Sequence, residues 1–504
     1  TGTQNTALGA LSLDANTTAN YGTAVGYDAL GANTTGSENT TVGRQSLLTN
    51  TTGNRNSALG SGALSGNTTA SDNTGLGWAA LFTNTTGANN TAVGSGALLS
   101  NTTGAANTAS GYGALNDNTT GGSNVAIGHE ALQNNTTASF NVAVGVDALY
   151  TNTTGTSNVA VGTSALAANT TGDHNAAFGK TALDSNTTGT QNTGIASGAM
   201  QSNTTGNYNV AVGYASMDAN TTASNNTAIG RYAMLSNTTG GENTAVGGNV
   251  MFANTTGINN TAVGYAALDA NTTASNNTAF GYLALTANAT GASNTAVGSY
   301  ALQSATGASN TAVGMDAGDG ITTGVQNTLV GKGAETSAAG VNNEIVMGFN
   351  AVGNGAASVT FGIAATETYI GLGNTNWIGS SDERLKENIT ASTAGLSFIN
   401  DLRPVTFDWK SKGSIPSELR GYEEGSDEKY NLNDKTNHGF IAQEVKTVLD
   451  NHPEVKNGHN IWLEKDDGTQ ALAPSALVPM LVKALQEADA KIEALTTRIT
   501  ALEG

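Results

Sequence analysis

Two carboxylates, Glu130 and Asp147, stand seventeen residues apart in a chain of 504, and His129 precedes the first. Paired carboxylates held ~5–10 Å apart can cleave a glycosidic bond. If residues seventeen apart stack in adjacent coils, this pair sits ~5 Å apart. The other acids of the first three quarters of the chain are scattered, and stacked like charges on a solvated face are the simpler account. The five histidines (129, 174, 438, 452 and 459) show no metal-ligand spacing. Calcium repeats of the G-G-x-G-x-D type are absent. There is no Cys, hence no disulfide and no thiolate site. Neither a metal nor a cofactor is expected, and no turnover enzyme.

A second chemistry is aromatic. Tyr27, Trp78, Tyr112, Tyr214, Tyr265 and Tyr282 recur at one place of a repeat. Outward rings can stack on sugars, which makes Tyr265 and Tyr282 candidate glycan contacts, although isolated surface aromatics are also normal. The many Asn-Thr-Thr triplets match the N-x-[ST] acceptor pattern. In a fibre they are more simply turn and ladder residues.

These residues need elements to hold them, and the repeat supplies those. It reads N-T-A-(V/I/L/F)-G-x-x-A-(L/M)-x-x-N-T-T-(G/A)-x-x, seventeen residues long. From Asn5, seventeen consecutive copies keep Asn at the twelfth place, from Asn16 to Asn288, and Thr at the fourteenth. The copy at Asn294 is one residue short, and the pattern fades after Asn343. A fixed short period means a solenoid, whose units bury their faces against each other. The apolar pairs, such as Ala262-Val263 and Ala267-Leu268, are too short for a helix, and Gly, Asn and Thr punctuate them. The expectation is an all-β parallel solenoid, a β-roll of ~17-residue coils, with identical side chains stacked into ladders every ~4.8 Å. Gly at the fifth place suits a tight corner. The fifteenth place accepts Ala (Ala70, Ala138, Ala223) and so does not require a positive φ. Each coil has few apolar residues. The pairing suggests that neighbouring side chains serve two buried surfaces, the coil interior and a partner chain.

Composition changes near residue 380. Residues 1–380 hold 5 Lys+Arg and 17 Asp+Glu, residues 381–504 hold 14 and 21, and all five prolines lie in the latter. We read a repeat region over 1–345, a connector over 346–380 and a separate domain over 381–504. Net charge is −19, against a nucleic-acid partner, which needs a basic stripe. No apolar run is long enough for a membrane helix. The opening Thr1-Gly2-Thr3-Gln4-Asn5 starts in mid-repeat, so the chain looks processed, truncated or incompletely read.

The repeat resembles the heads of trimeric autotransporter adhesins, whose coils carry an N-S-V-A-I-G-like motif. "NVAIG" at 124–128 and "NVAVG" at 141–145 match it, although the adhesin unit is usually shorter. The last quarter carries four motifs in order: "SSDERLKENI" (380–389), "FINDLRPVTFDWK" (398–410), "HGFIAQEV" (438–445) and "LVPMLVKALQEADAKIEAL" (477–495). Together these resemble the intramolecular chaperone domain of phage tailspikes and tail fibres, the S74 self-cleaving peptidase family. The resemblance implies a small trimerising α+β domain that folds the β-stem before it and is then often released by autoproteolysis. It assigns Ser381 as nucleophile and Lys386 as its base, with the cut at Ser380–Ser381 and Asp382 following. A Ser hydroxyl becomes a strong nucleophile when a base takes its proton, and a neighbouring cation such as Arg384 can lower the pKa of the Lys. Members that fold without cutting exist, so cleavage is left open.

At the C-terminus Val478, Leu485, Ile492 and Ile499 share one heptad position and Leu481, Ala488, Leu495 and Leu502 the other. This predicts a coiled-coil helix over 478–502, compatible with three strands. The expected molecule is a homotrimeric fibre of a phage tail that contacts a host-surface glycan or receptor, found in the virion or at a cell surface. Alternatives are a bacterial adhesin filament, a polysaccharide-degrading tailspike, and an ice-binding protein using stacked Thr rows.

Overall fold

A computed structural model describes residues 1–363, 368–371, 378–379, 389–417, 419, 422–430, 436–456, 461–464 and 469–503. The chain forms two compact units, Thr1–Ser380 and Ser381–Gly504.

The first unit is a parallel β-solenoid. Three-residue strands run from β1 (Thr6–Leu8) to β21 (Ile345–Met347), one per coil, each paired with the next. The offset is seventeen, as in Thr261↔Thr278, Ala262↔Ala279 and Val263↔Phe280. In the short coil it drops to sixteen, Thr295↔Thr311, without breaking the sheet. β22 (Ser358–Phe361) adds one more parallel strand, so the sheet runs into the stretch read as a connector, and β23 (Thr368–Gly371) then pairs antiparallel. Twenty-one coils at ~4.8 Å give a stack of ~100 Å.

In each strand the middle residue points inward and its neighbours outward, as a pleat requires. Ala262 is fully buried, whereas Phe280, one coil on from Val263, is exposed. This pair is divided between the coil interior and the outer face, where the expectation for both pairs is the interior and a partner chain. The second pair departs from that expectation: Ala267 and Leu268 are both fully buried. The cause is backbone conformation. Ala266 and Leu268 have φ of 50° and 55°, so the chain curls and turns both side chains inward. The same left-handed φ recurs at Leu30, Leu64 and Leu285, and a third left-handed residue, such as Asn276 at 62°, closes each coil. Non-glycine residues there cost ~1–2 kcal/mol each.

Gly at the fifth place has a different reason. Gly264 has φ 133°, and a Cβ there would meet the carbonyl oxygen of Gly281 at 2.3 Å. The corners stack backbone on backbone. Ala196 alone replaces this glycine, with φ pulled to 107°.

Two asparagine ladders run through the interior. At the twelfth place Asn220 Nδ2 donates to Asn203 Oδ1 (2.8 Å), and Asn237 Nδ2 to Asn220 Oδ1 (3.0 Å). At the first place it is the backbone N–H that climbs, from Asn260 to Asn243 Oδ1 (2.9 Å). Both ladders also donate to one carbonyl at the fifteenth place: Asn260 and Asn271 share Ala274 O, at 2.9 and 3.1 Å. A carbonyl has two lone pairs, so one oxygen serves both. The Asn of each Asn-Thr-Thr triplet is therefore buried and bonded from Asn33 to Asn288, a ladder residue and no glycan acceptor in the folded coil. The twelfth-place ladder ends beside the short coil. Asn288 turns to bond Gly291, and Ala305 and Ile321 take the buried place beyond. The first-place ladder continues to Glu344, whose carboxylate accepts the N–H of Ser337 (2.8 Å) and of Gly355. The Glu344 oxygens accept these two N–H groups in place of the N–H of a stacked first-place residue, and the ladder stops there.

The second unit is α+β. Helix α1 (Leu396–Asp401) leads to β25 (Val405–Phe407), which pairs with β26 (Asn437–Gly439). Then come α2 (Ala442–Asn451), α3 (Pro453–Lys456), the antiparallel pair β27 (Trp462–Glu464) and β28 (Gln470–Leu472), and the long α4 (Val478–Glu503).

Candidate functional site

Ser381, Lys386, Asp382 and Arg384, which the resemblance casts as the cutting centre and its surroundings, lie outside the described residues. Of "SSDERLKENI" only Ile389 is described, and it is exposed. The other three motifs converge. "FINDLRPVTFDWK" supplies Phe398 and Leu402, "HGFIAQEV" supplies Phe440 and Val445, and the last motif supplies Leu477 and Met480, all in one apolar core.

Polar contacts tie this core to its edges. His452 is buried, edge-on to Phe398, with Nε2 2.8 Å from Asp401 Oδ2 and Nδ1 2.8 Å from Glu454 Oε1. The hydrogen bonds to Asp401 and then Glu454 raise its pKa above the ordinary histidine value. Glu487 of α4 accepts the Leu396 N–H at 2.9 Å, capping α1 from another helix. That backbone bond, first, holds the Glu487 carboxyl below its usual range. A Cβ at Gly395 would meet the Glu487 carboxylate at 2.5 Å, so a larger residue there would push this cap aside.

α4 leaves the core after its first turns. Ala484 is buried, but Leu485 is 72% exposed, Ile492 61% and Leu502 85%. The predicted heptad residues Val478, Leu481, Leu495 and Ile499 are exposed as well. Near the helix start an apolar hollow of about 310 Å³ is lined by Ile399, Leu402, Pro404, Phe440, Leu477 and Leu481. Nothing in the sequence points to it, since its walls come from three separate segments.

The solenoid carries a second unpartnered surface. The outward residues of β1 to β21 are Thr, Ser, Val, Ala, Ile, Leu, Phe and Met, without one charge. Leu59, Ile127, Phe178, Ile229 and Val313 are exposed on it. Two ranks ~7 Å apart over ~100 Å make roughly 700 Å² or more, above what a monomer usually leaves uncovered.

The candidate glycan contacts are exposed, and they touch each other. Tyr265 and Tyr282 stack with centroids 5.8 Å apart and 16° between planes, and Tyr300 meets Tyr282 edge-on at 5.4 Å. Glu130 and Asp147 are brought together as their spacing implied, and His129 joins them. A further acidic pair escaped the count of seventeen, because Asp319 and Glu335 meet across coils sixteen residues apart. Burial, then a hydrogen bond to Asp319, pushes the Glu335 carboxyl up to about 8.

The chain thus joins two modules, a long parallel β-solenoid and, after it in sequence, a small α+β domain whose last helix leaves an apolar seam exposed. The sequence comparison agrees. Residues 381–453 match the family model described as chaperone of endosialidase, so the C-terminal part of the chain is a domain of that family, the Peptidase S74 domain. No curated protein and no solved structure matches the chain. The two modules together fit a phage tail-fibre or tailspike-type protein, and hence a virion or extracellular one. No helix among the described residues is long and apolar enough to cross a membrane.

Proposed function

We propose that the chain is a homotrimeric attachment fibre of a phage tail, folded and trimerised by its C-terminal domain. The observation that carries this reading is α4. Residues 489–503 are exposed throughout, about four turns of helix with an apolar seam that no other described residue covers. An isolated helix of that length is marginal in water, and a heptad seam is stabilised by copies of itself. The uncharged solenoid face supports the same reading. Its area is close to the ~800 Å² per partner of a standard interface. Host contact falls to the outward solenoid surface, with the row Tyr265, Tyr282 and Tyr300 as the glycan-binding candidate.

The test is the molar mass of the purified chain in solution. Wild type should weigh as a trimer, and the double substitution Ile492→Asp with Leu495→Asp should abolish it by placing charges in the seam. A monomeric wild type would end this reading. Self-cleavage is a separate part of the proposal. A released piece beginning Ser-Asp-Glu-Arg should appear on denaturing gels, and Ser381→Ala or Lys386→Ala should prevent it while leaving the trimer intact. A wild-type chain that stays whole after folding would show a chaperone that does not cut.

A further inference from the structure

The solenoid stacks side chains of neighbouring coils whether or not their charges agree, and it settles each close charged pair differently. Arg55 stacks on Asp72 and they form a two-point ion pair, at 2.6 and 2.9 Å. Asp319 and Glu335 are both acids, and there burial and a shared hydrogen bond favour a proton on Glu335. Glu130 and Asp147 are also both acids, stacked one coil apart, and neither solution applies. Among the described residues neither carboxylate has a hydrogen-bond partner, and no Lys or Arg pairs with them. The third group beside them is an imidazole, His129, with Nδ1 3.8 Å from Glu130 Oε2. That is too long for a hydrogen bond. One ligand atom from each of the three lies within 4.8 Å of the others.

From this geometry we infer that His129, Glu130 and Asp147 bind one first-row divalent cation of the Zn²⁺ class, bridging two adjacent coils. One nitrogen and two carboxylate oxygens are a donor set for Zn²⁺ and its neighbours rather than for Ca²⁺, which takes oxygen alone. Tetrahedral ligands at ~2.0–2.1 Å from zinc lie roughly 3.3 Å from each other. The three atoms, within 4.8 Å of one another, thus need to draw together by up to about 1.5 Å per pair to close a site. The side chains are free to make that adjustment, since His129 is 53% exposed and Glu130 27%. Tyr112, one coil earlier, stacks on the imidazole at 5.3 Å and 21° and holds the ring plane. Three protein ligands leave at least one position open, for water or an anionic group of a bound molecule. Counting along the chain placed the three side by side but not as ligands, because His129 and Asp147 are eighteen residues apart and meet only through the coil register.

Calorimetric titration of the full chain with ZnCl₂ tests this. Wild type should show one saturable site per chain, weakened by about tenfold or more in both His129→Ala and Asp147→Asn. Asp147 sits at a left-handed φ of 56°, which Asn also tolerates, so that variant keeps the coil. Circular dichroism of each variant should match wild type. Equal amounts of Ca²⁺ should not displace the zinc. Binding that persists unchanged in both variants, or no saturable binding in wild type, overturns the site. Displacement by Ca²⁺ at equal concentration overturns the assignment to the Zn²⁺ class.

Discussion

The solenoid and the C-terminal domain solve opposite problems. Each solenoid coil is stabilised only by its neighbours. Its three left-handed non-glycine residues cost a few kcal/mol, and its inter-strand bonds and asparagine-to-asparagine bonds exist only once another coil is in place. A first coil therefore has every cost and no partner, much like the nucleus of a helix. The C-terminal domain has a mixed core around Phe398, Val445, Leu449 and Leu477, built from segments distant in sequence, and can form without a template. The contrast teaches why such a repeat is followed by a folding domain: the repeat propagates well and starts badly.

Deleting residues 381–504 should break this comparison most severely. The solenoid should then fail to reach its native state, because non-local β pairing is slow and leaves edges exposed. Soluble fibre in the expression supernatant should fall to near zero. Repeats that assemble at normal yield without the domain would show that they start unaided.

Within the solenoid, Asn237→Leu should be a local injury. It strands Asn220 Oδ1 and removes the acceptor of Asn254 Nδ2. A buried unsatisfied group costs about 1–3 kcal/mol, so amide exchange in the adjoining coils should rise roughly 10- to 100-fold. Distant coils should keep their protection, since solenoid stability is a sum of neighbour terms.

The smallest expected effect lies in the C-terminal domain. The raised pKa of His452 means that the folded state binds its proton more tightly than the unfolded chain. The stability it contributes is full below the ordinary histidine pKa of ~6.5 and is lost as pH rises through the raised value. His452→Gln should lower the denaturation midpoint of the domain at pH 6 and do so less at pH 9. An equal loss at both pH values would mean that packing on Phe398, not the charge, is what His452 supplies.

Much of the solenoid was legible because its period is a physical repeat. Asn at the twelfth place and Gly at the fifth point to a ladder and a corner in any register-stacked coil. The inward turn of Leu268 was not legible. A leucine with positive φ contradicts its own propensity and is imposed by stacking. The pair Asp319 and Glu335 was hidden because the two acids hold different places, the tenth and the ninth, in coils that stack at an offset of seventeen. In the second unit the heptads of α4 could be read directly, whereas the hollow beside Leu481 depends on tertiary packing. The Ser381 and Lys386 assignment rests on resemblance alone.

The stacked corners have one more consequence. Except at Ala196, every corner from β1 to β21 presents the same glycine backbone surface, Gly264 on Gly281 as Gly94 on Gly111. Removing or duplicating one whole unit of the coding sequence therefore leaves both ends and every remaining junction as they were. The length of this molecule can change by recombination in steps of ~4.8 Å. Its reach is a quantity that selection can adjust without having to solve the fold again.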